Sequence, residues 1–211
     1  MVKYLYGIFL LTVGLSCEKP PTVDVTNIEV QPAVVPADQK YAGVYKSLDG
    51  QWSGQFVIYR DTAPALKKED LLYSAEYKMP NISSLIREDT VQVQQEYVSE
   101  SPYFQRVVIQ DIYPEKNDTI LSRGVNKVQN GEMWCVVKKP EETVVHRGKK
   151  EGLHTIIWER KKSDPQVIEY FRETVEDGIY HIKGWGYYAG DDTTRMPPYW
   201  FSGSYERSSD N

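Results

Sequence analysis

The chain is poor in the residues that most metal and nucleophilic chemistry requires. Its 211 residues include two cysteines and three histidines. Two cysteines exclude a disulfide framework and a Cys-based zinc site. The histidines, His146, His154 and His181, form no His-x-His or His-x-x-x-His pair, so the sequence offers no local metal pair. A Gly-x-Ser-x-Gly elbow, a phosphate-cradling glycine loop and a His-Glu-x-x-His helix are all missing. Asp191-Asp192-Thr193-Thr194 lacks the spacing of a calcium loop and reads as a solvated acidic turn. Cys135 lies in the strand-like run Glu132–Val137, where burial raises a thiol pKa and leaves it inert. No strong excess of one charge is present either. Lys+Arg number 25 against 30 Asp+Glu, a net −5 with no basic block, so nucleic acid is not an expected partner. The sequence thus predicts no metal, no cofactor and no catalytic residue.

At 40% hydrophobic content the chain can build a core, and its length suits one folded domain. The first residues carry an address. Lys3 is followed by an apolar run from Tyr4 to Val13, then Gly14-Leu15-Ser16-Cys17. The run is far shorter than the roughly 20 residues a spanning helix needs, which makes it the core of a signal peptide over residues 1–16. Small residues just before a cysteine resemble the lipobox of bacterial lipoproteins. That resemblance implies removal of the signal, acylation of Cys17 by palmitate-like chains, and anchoring in the cell envelope, at the outer membrane. Two or more acyl chains anchor stably, at about 0.8 kcal/mol per buried CH₂. The alternative is an ordinary cleaved signal with Cys17 paired to Cys135. Residues 17–40 contain Pro20, Pro21, Pro32 and Pro36 and read as the lipidated cysteine plus a tether, with Val23–Val30 able to add an edge strand.

The folded domain spans 41–211, where alternation of period two dominates. Val91, Val93 and Tyr97 share one face of a strand, and Trp52, Gly54, Phe56 and Ile58 share a face of another. A further strand is expected at Leu71–Tyr77, and others over 103–112, 119–128, 132–138, 153–161, 166–175, 179–188 and 199–207. Asp49-Gly50, Asn130-Gly131 and Asp177-Gly178 are hairpin-type pairs, and Asp164-Pro165 marks another turn. Ala63–Leu72, with Thr62 as cap and Pro64 in the first turn, predicts a short helix near the N-terminal side. Residues 79–89 read as a connection. Eight to ten strands in an antiparallel meander predict an all-β, lipocalin-like closed barrel, which hides its edges, with a two-sheet sandwich as the alternative.

Gly50-Gln51-Trp52 opens the first strong strand and resembles the Gly-x-Trp pattern of lipocalin-like (calycin) barrels. The resemblance gives Gly50, Trp52 and Arg207 a structural role, with Trp52 packed across the barrel floor against the basic side chain of Arg207. A second resemblance lies in Val93-Gln94-Gln95-Glu96-Tyr97 and Ser101-Pro102-Tyr103-Phe104-Gln105-Arg106-Val107, which are similar to a hairpin of the lyases that attach bilin chromophores to phycobiliproteins. Those lyases share the calycin fold, so the resemblance implies the fold without carrying the reaction.

Aromatic residues are the strongest remaining signal, with 16 Tyr, 5 Trp and 5 Phe. Inside a barrel they would line an apolar cup, and cations among them would orient an anionic group. The candidate ligand-binding residues are Trp52, Arg106, His154, Trp158, His181, Lys183, Trp185, Tyr187 and Phe201. The expectation is an envelope lipoprotein, monomeric and held to the membrane by its lipid, whose barrel binds a small, largely apolar ligand without a covalent bond. Two alternatives stay open: a docking protein with no small ligand, and a lyase-like enzyme. An interior cavity of about 300 Å³ or more favours the ligand.

Overall fold

A computed structural model describes residues 24–61 and 80–208. Ten strands fill most of them: β1 Gly50–Arg60, β2 Ile86–Ser101, β3 Phe104–Tyr113, β4 Asp118–Gln129, β5 Glu132–Lys138, β6 Thr143–Glu151, β7 Thr155–Ser163, β8 Gln166–Glu176, β9 Ile179–Tyr187 and β10 Tyr199–Arg207. Each pairs antiparallel with the next, and β1 also pairs with β10, so the sheet is a closed barrel. The barrel is therefore the observed architecture and the sandwich is excluded. Among the described residues the only helices are single 3₁₀ turns. The predicted helix at Ala63–Leu72 and strand at Leu71–Tyr77 lie outside the described residues.

Alternation decides what faces inward. Trp52, Gly54, Phe56 and Ile58 point into the barrel, as do Val91, Val93 and Tyr97 on β2. Asn130-Gly131 and Asp177-Gly178 turn with positive φ at both residues, the conformation that lets a two-residue hairpin follow the strands' twist. Asp49-Gly50 does not close a hairpin. Gly50 enters β1 at φ 123°, while the Asp49 carboxylate accepts from Ser99 N (2.9 Å), Ser99 Oγ (2.7 Å) and Gln105 Nε2 (2.8 Å). Two segments also differ from expectation. β2 begins at Ile86, inside the expected connection, and β6 was unforeseen. β6 presents Val144, His146 and Gly148 inward, a face too polar and too small to read as apolar alternation. Gly148 is required there, because a Cβ at that position would overlap the Trp158 ring.

The stretch before β1 is part of the folded body. Residues 24–30 form no strand and instead lie on the outer wall, where Ile28 packs with Phe104, Val125 and Val136. Lys127 Nζ donates to Asn27 O (2.8 Å) and Arg106 Nη1 to Ile28 O (2.6 Å). Two 3₁₀ turns, Pro36–Tyr41 and Lys46–Leu48, then close the barrel floor. Asp38 is fully buried, receiving Val35 N (2.8 Å) and Gly131 N (2.5 Å). Tyr45 and Leu48 enter the core beside Trp52, Val128 and Met133. The expected boundary at residue 41 thus falls inside a packed unit, because Pro-rich backbone with no ladder of its own can still bury side chains.

Candidate functional site

Above the floor, the barrel interior encloses a cavity of about 400 Å³. Its walls are mostly apolar: Phe56, Val93, Ile109, Phe171 and Phe201 among others. Phe201 stacks on Phe56 (5.6 Å between centroids) and on Phe171 (5.5 Å), forming one aromatic side. A layer of tyrosines forms the deep end. Tyr180 meets Tyr205 at 5.3 Å and Tyr97 edge-on at 6.0 Å, with Trp52 beneath at 5.6 Å. Tyr97 Oη donates to Gln95 Oε1 (2.6 Å).

Two polar groups of different character face this space. Toward one end, Glu169 on β8 gathers the His146 ring (3.1 Å), Arg160 Nη1 (3.3 Å) and the Tyr188 hydroxyl (3.0 Å), and Arg160 Nη2 reaches Glu142 (2.7 Å). Burial pushes the Glu169 carboxyl up. The His146 hydrogen bond and charge, with Arg160 and Tyr188, outweigh it and hold the group below the usual carboxylate range. Burial and the Glu169 charge push the Tyr188 hydroxyl far up. At the deep end Glu173 stands apart from any such network. Its cross-strand neighbours are Ile156 and Ile182. Burial raises its carboxyl from 4.5 to about 7, against the opposing effect of hydrogen bonds from Trp158 and Tyr180. Burial and that same carboxylate drive the Cys135 thiol far above its ordinary value, which leaves it a poor nucleophile.

The raised value at Glu173 is a statement about stability. The native state holds a proton that the unfolded chain releases, so Glu173 costs nothing below about pH 4; its cost builds as the pH rises from 4.5 through 7. At 1.36 kcal/mol per pH unit the full cost is about 3 kcal/mol. Glu173→Gln is expected to stabilise the protein by up to that amount at pH 8 and to be nearly neutral at pH 4, as read from urea unfolding at the two pH values.

Of the residues singled out from the sequence, Trp158 and Phe201 line the cavity. Trp52 is buried below it, its indole N–H donating to Leu48 O (2.7 Å) and the Arg207 guanidinium 4.6 Å from its ring centroid. Gly50 lies directly under that guanidinium. The others face outward. Arg106 is held on the outer wall by Glu100 (3.0 Å) and the 24–30 segment. His154, His181 and Lys183 border a depression on the outer surface with Arg172 and Glu151, so none of the three lines the interior cavity. Trp185 and Tyr187 belong to an outer apolar cluster with Val57, Tyr59 and Trp200. The assignments of His181, Lys183, Trp185 and Tyr187 are corrected because β9 carries these side chains on its outer face, while its inner face is Tyr180, Ile182, Gly184 and Gly186.

The cavity residues that the sequence did not reveal are chiefly Glu173, Glu169, His146 and Phe171. For the three on β8 the signal was a shared parity, Val167-Glu169-Phe171-Glu173, obscured because its acidic members made the Ile168-Tyr170 face look like the core.

No family model and no curated protein matches the chain. Among solved structures it is similar to a redesigned β-barrel, b11L5F_LGL, at 14% identity, covering 80% of this chain and 97% of that one with TM-score 0.38. It is also similar to EF1p2_mFAP2b bound to DFHBI, at 12% identity, covering 80% and 99% with TM-score 0.37. A redesigned barrel, mFAP0, bound to DFHBI, aligns at 13% identity over 76% and 99% with TM-score 0.34. Likenesses this distant lend nothing to the reading of the site.

Proposed function

We propose that the protein binds a small, largely apolar molecule non-covalently inside its barrel. One observation carries this: a cavity of about 400 Å³ with a closed floor, apolar walls and a few inward polar groups, the general form of a small-molecule site. Two of those groups, Ser122 Oγ and Asn126 Oδ1, are buried without a partner among the described residues, and such atoms normally have one. A docking protein without a ligand would fill this space with Trp and Tyr. Catalysis has weaker support, because Cys135, a nucleophile in the wall, is held protonated.

The stacking of Arg207 on Trp52 and the 3₁₀ turns beneath the barrel support a lipocalin-like relationship. Cys17, after the apolar run Tyr4–Val13, supports a lipid anchor in a bacterial envelope, at the outer membrane. The protein then works as a membrane-held monomer. Native mass spectrometry of the full chain purified from its own host tests the ligand reading. A reproducible additional mass, lost when Val93→Trp fills the cavity, is the expected result; a bare polypeptide in every preparation overturns it. For the anchor, labelled palmitate is expected in the wild type and absent from Cys17→Ala.

A further inference from the structure

We infer that the deep end of the cavity is a subsite for a protonated amine carried on an apolar ligand, with Glu173 as its counter-ion; this rests on the ligand-binding reading above. Four carboxyls line the cavity, Asp111, Glu142, Glu169 and Glu173, against two permanent cations, Lys139 and Arg160. An anionic ligand therefore meets a field of the wrong sign, and a cation meets a favourable one.

Three of the four carboxyls have a positive neighbour. Arg160 serves Glu169 and Glu142, and Lys139 acts on Asp111. Glu173 has no ion pair among the described residues, and only Trp158 and Tyr180 stabilise its charged form. Those two donors occupy about two of the four or so positions at which a carboxylate accepts, leaving the rest for a ligand. A charge in apolar surroundings is costly unless paired, so a ligand bringing the missing cation gains the pairing without first breaking a protein ion pair.

The surroundings suit an ammonium group as well. Tyr97, Tyr180 and Tyr205 are buried, and burial together with the Glu173 carboxylate pushes their hydroxyls well above the ordinary range. All three stay neutral, and Tyr97 and Tyr205, which line the cavity, offer oxygen lone pairs and ring faces that attract a cation. Above them Phe171 and Phe201 enclose the apolar body of the ligand.

The test uses the full chain and three probes of one shape: 2-naphthylmethylamine, 2-naphthylmethanol and 2-naphthoate, titrated by isothermal calorimetry at pH 7. The amine is expected to bind at least tenfold tighter than the alcohol, and the carboxylate weakest. Glu173→Gln is expected to bring the amine down to the level of the alcohol while the alcohol is unchanged, and Glu173→Asp to keep part of the preference. In the wild type, titration in buffers of different ionisation enthalpy is expected to show proton release when the amine binds. Alcohol binding with no preference for the amine, or a preference that survives Glu173→Gln, overturns the amine subsite and leaves the binding reading standing. Failure of all three probes to bind overturns both.

Discussion

Trp52→Ala is expected to cost about 3–5 kcal/mol of folding free energy, the range for truncating a fully buried large aromatic. Trp52 is 1% exposed, and three contacts converge on it. Its N–H satisfies the Leu48 carbonyl at the end of the floor turns, its edge meets Tyr180, and the Arg207 guanidinium covers it. Removing the ring opens a void that β1, paired on both sides, cannot collapse to fill. Arg207→Ala should cost only about 0.5–1 kcal/mol, because the cation is exposed and contributes stacking alone. Urea midpoints of the two variants check the difference. Equal losses would mean that Arg207 holds the floor as firmly as the indole does.

Glu169→Ala should be nearly as damaging, at about 3–5 kcal/mol near neutral pH, because it strands a buried cation. Arg160 is 8% exposed and would keep only Glu142, while the Tyr188 hydroxyl and His146 ring lose their shared acceptor. Glu142→Ala is the control. Its side chain is 46% exposed, so its pair with Arg160 should contribute no more than about 1 kcal/mol. Glu169 and Glu173 also move stability with pH in opposite senses. Glu169 is held below the carboxylate range, so its contribution is present above pH 4.5 and is lost as the pH falls through its folded-state value. Glu173 becomes cheaper earlier in the descent, as the pH falls through 7 toward 4.5. The difference between wild type and Glu169→Ala is therefore expected to shrink on acidification, whereas the advantage of Glu173→Gln disappears.

The barrel was legible in the sequence because most strands expose only one face to water. On β2, Val91 and Val93 alternate with Gln92 and Gln94, and the wall and its lining can be told apart by eye. Legibility failed where both faces are buried or both are polar. On β9 the outer Trp185 and Tyr187 are as buried as the inner Tyr180 and Ile182, so periodicity finds two cores and cannot choose. On β8 the inner face carries Glu169 and Glu173, which read as solvent-facing. The site was thus hardest to find where it is most polar, since a buried carboxylate contradicts the hydrophobic pattern that reveals a core. The part that could be read, Trp158 and Phe201, is its apolar wall.

The seam of the barrel joins Trp52 to Arg207, positions 155 residues apart in the chain. Every other strand pairing joins strands consecutive in the chain and can form as its neighbour becomes available, but this one waits for β10 to be made. Bringing such distant segments together carries a large entropic cost before any contact rewards it, which places ring closure late in folding. Until then β1 has one unpaired side and the cavity has no complete wall. The enclosed cavity therefore arrives all at once, with the nine-residue strand β10, and a chain cut short before Tyr199 would carry most of the lining residues yet enclose nothing.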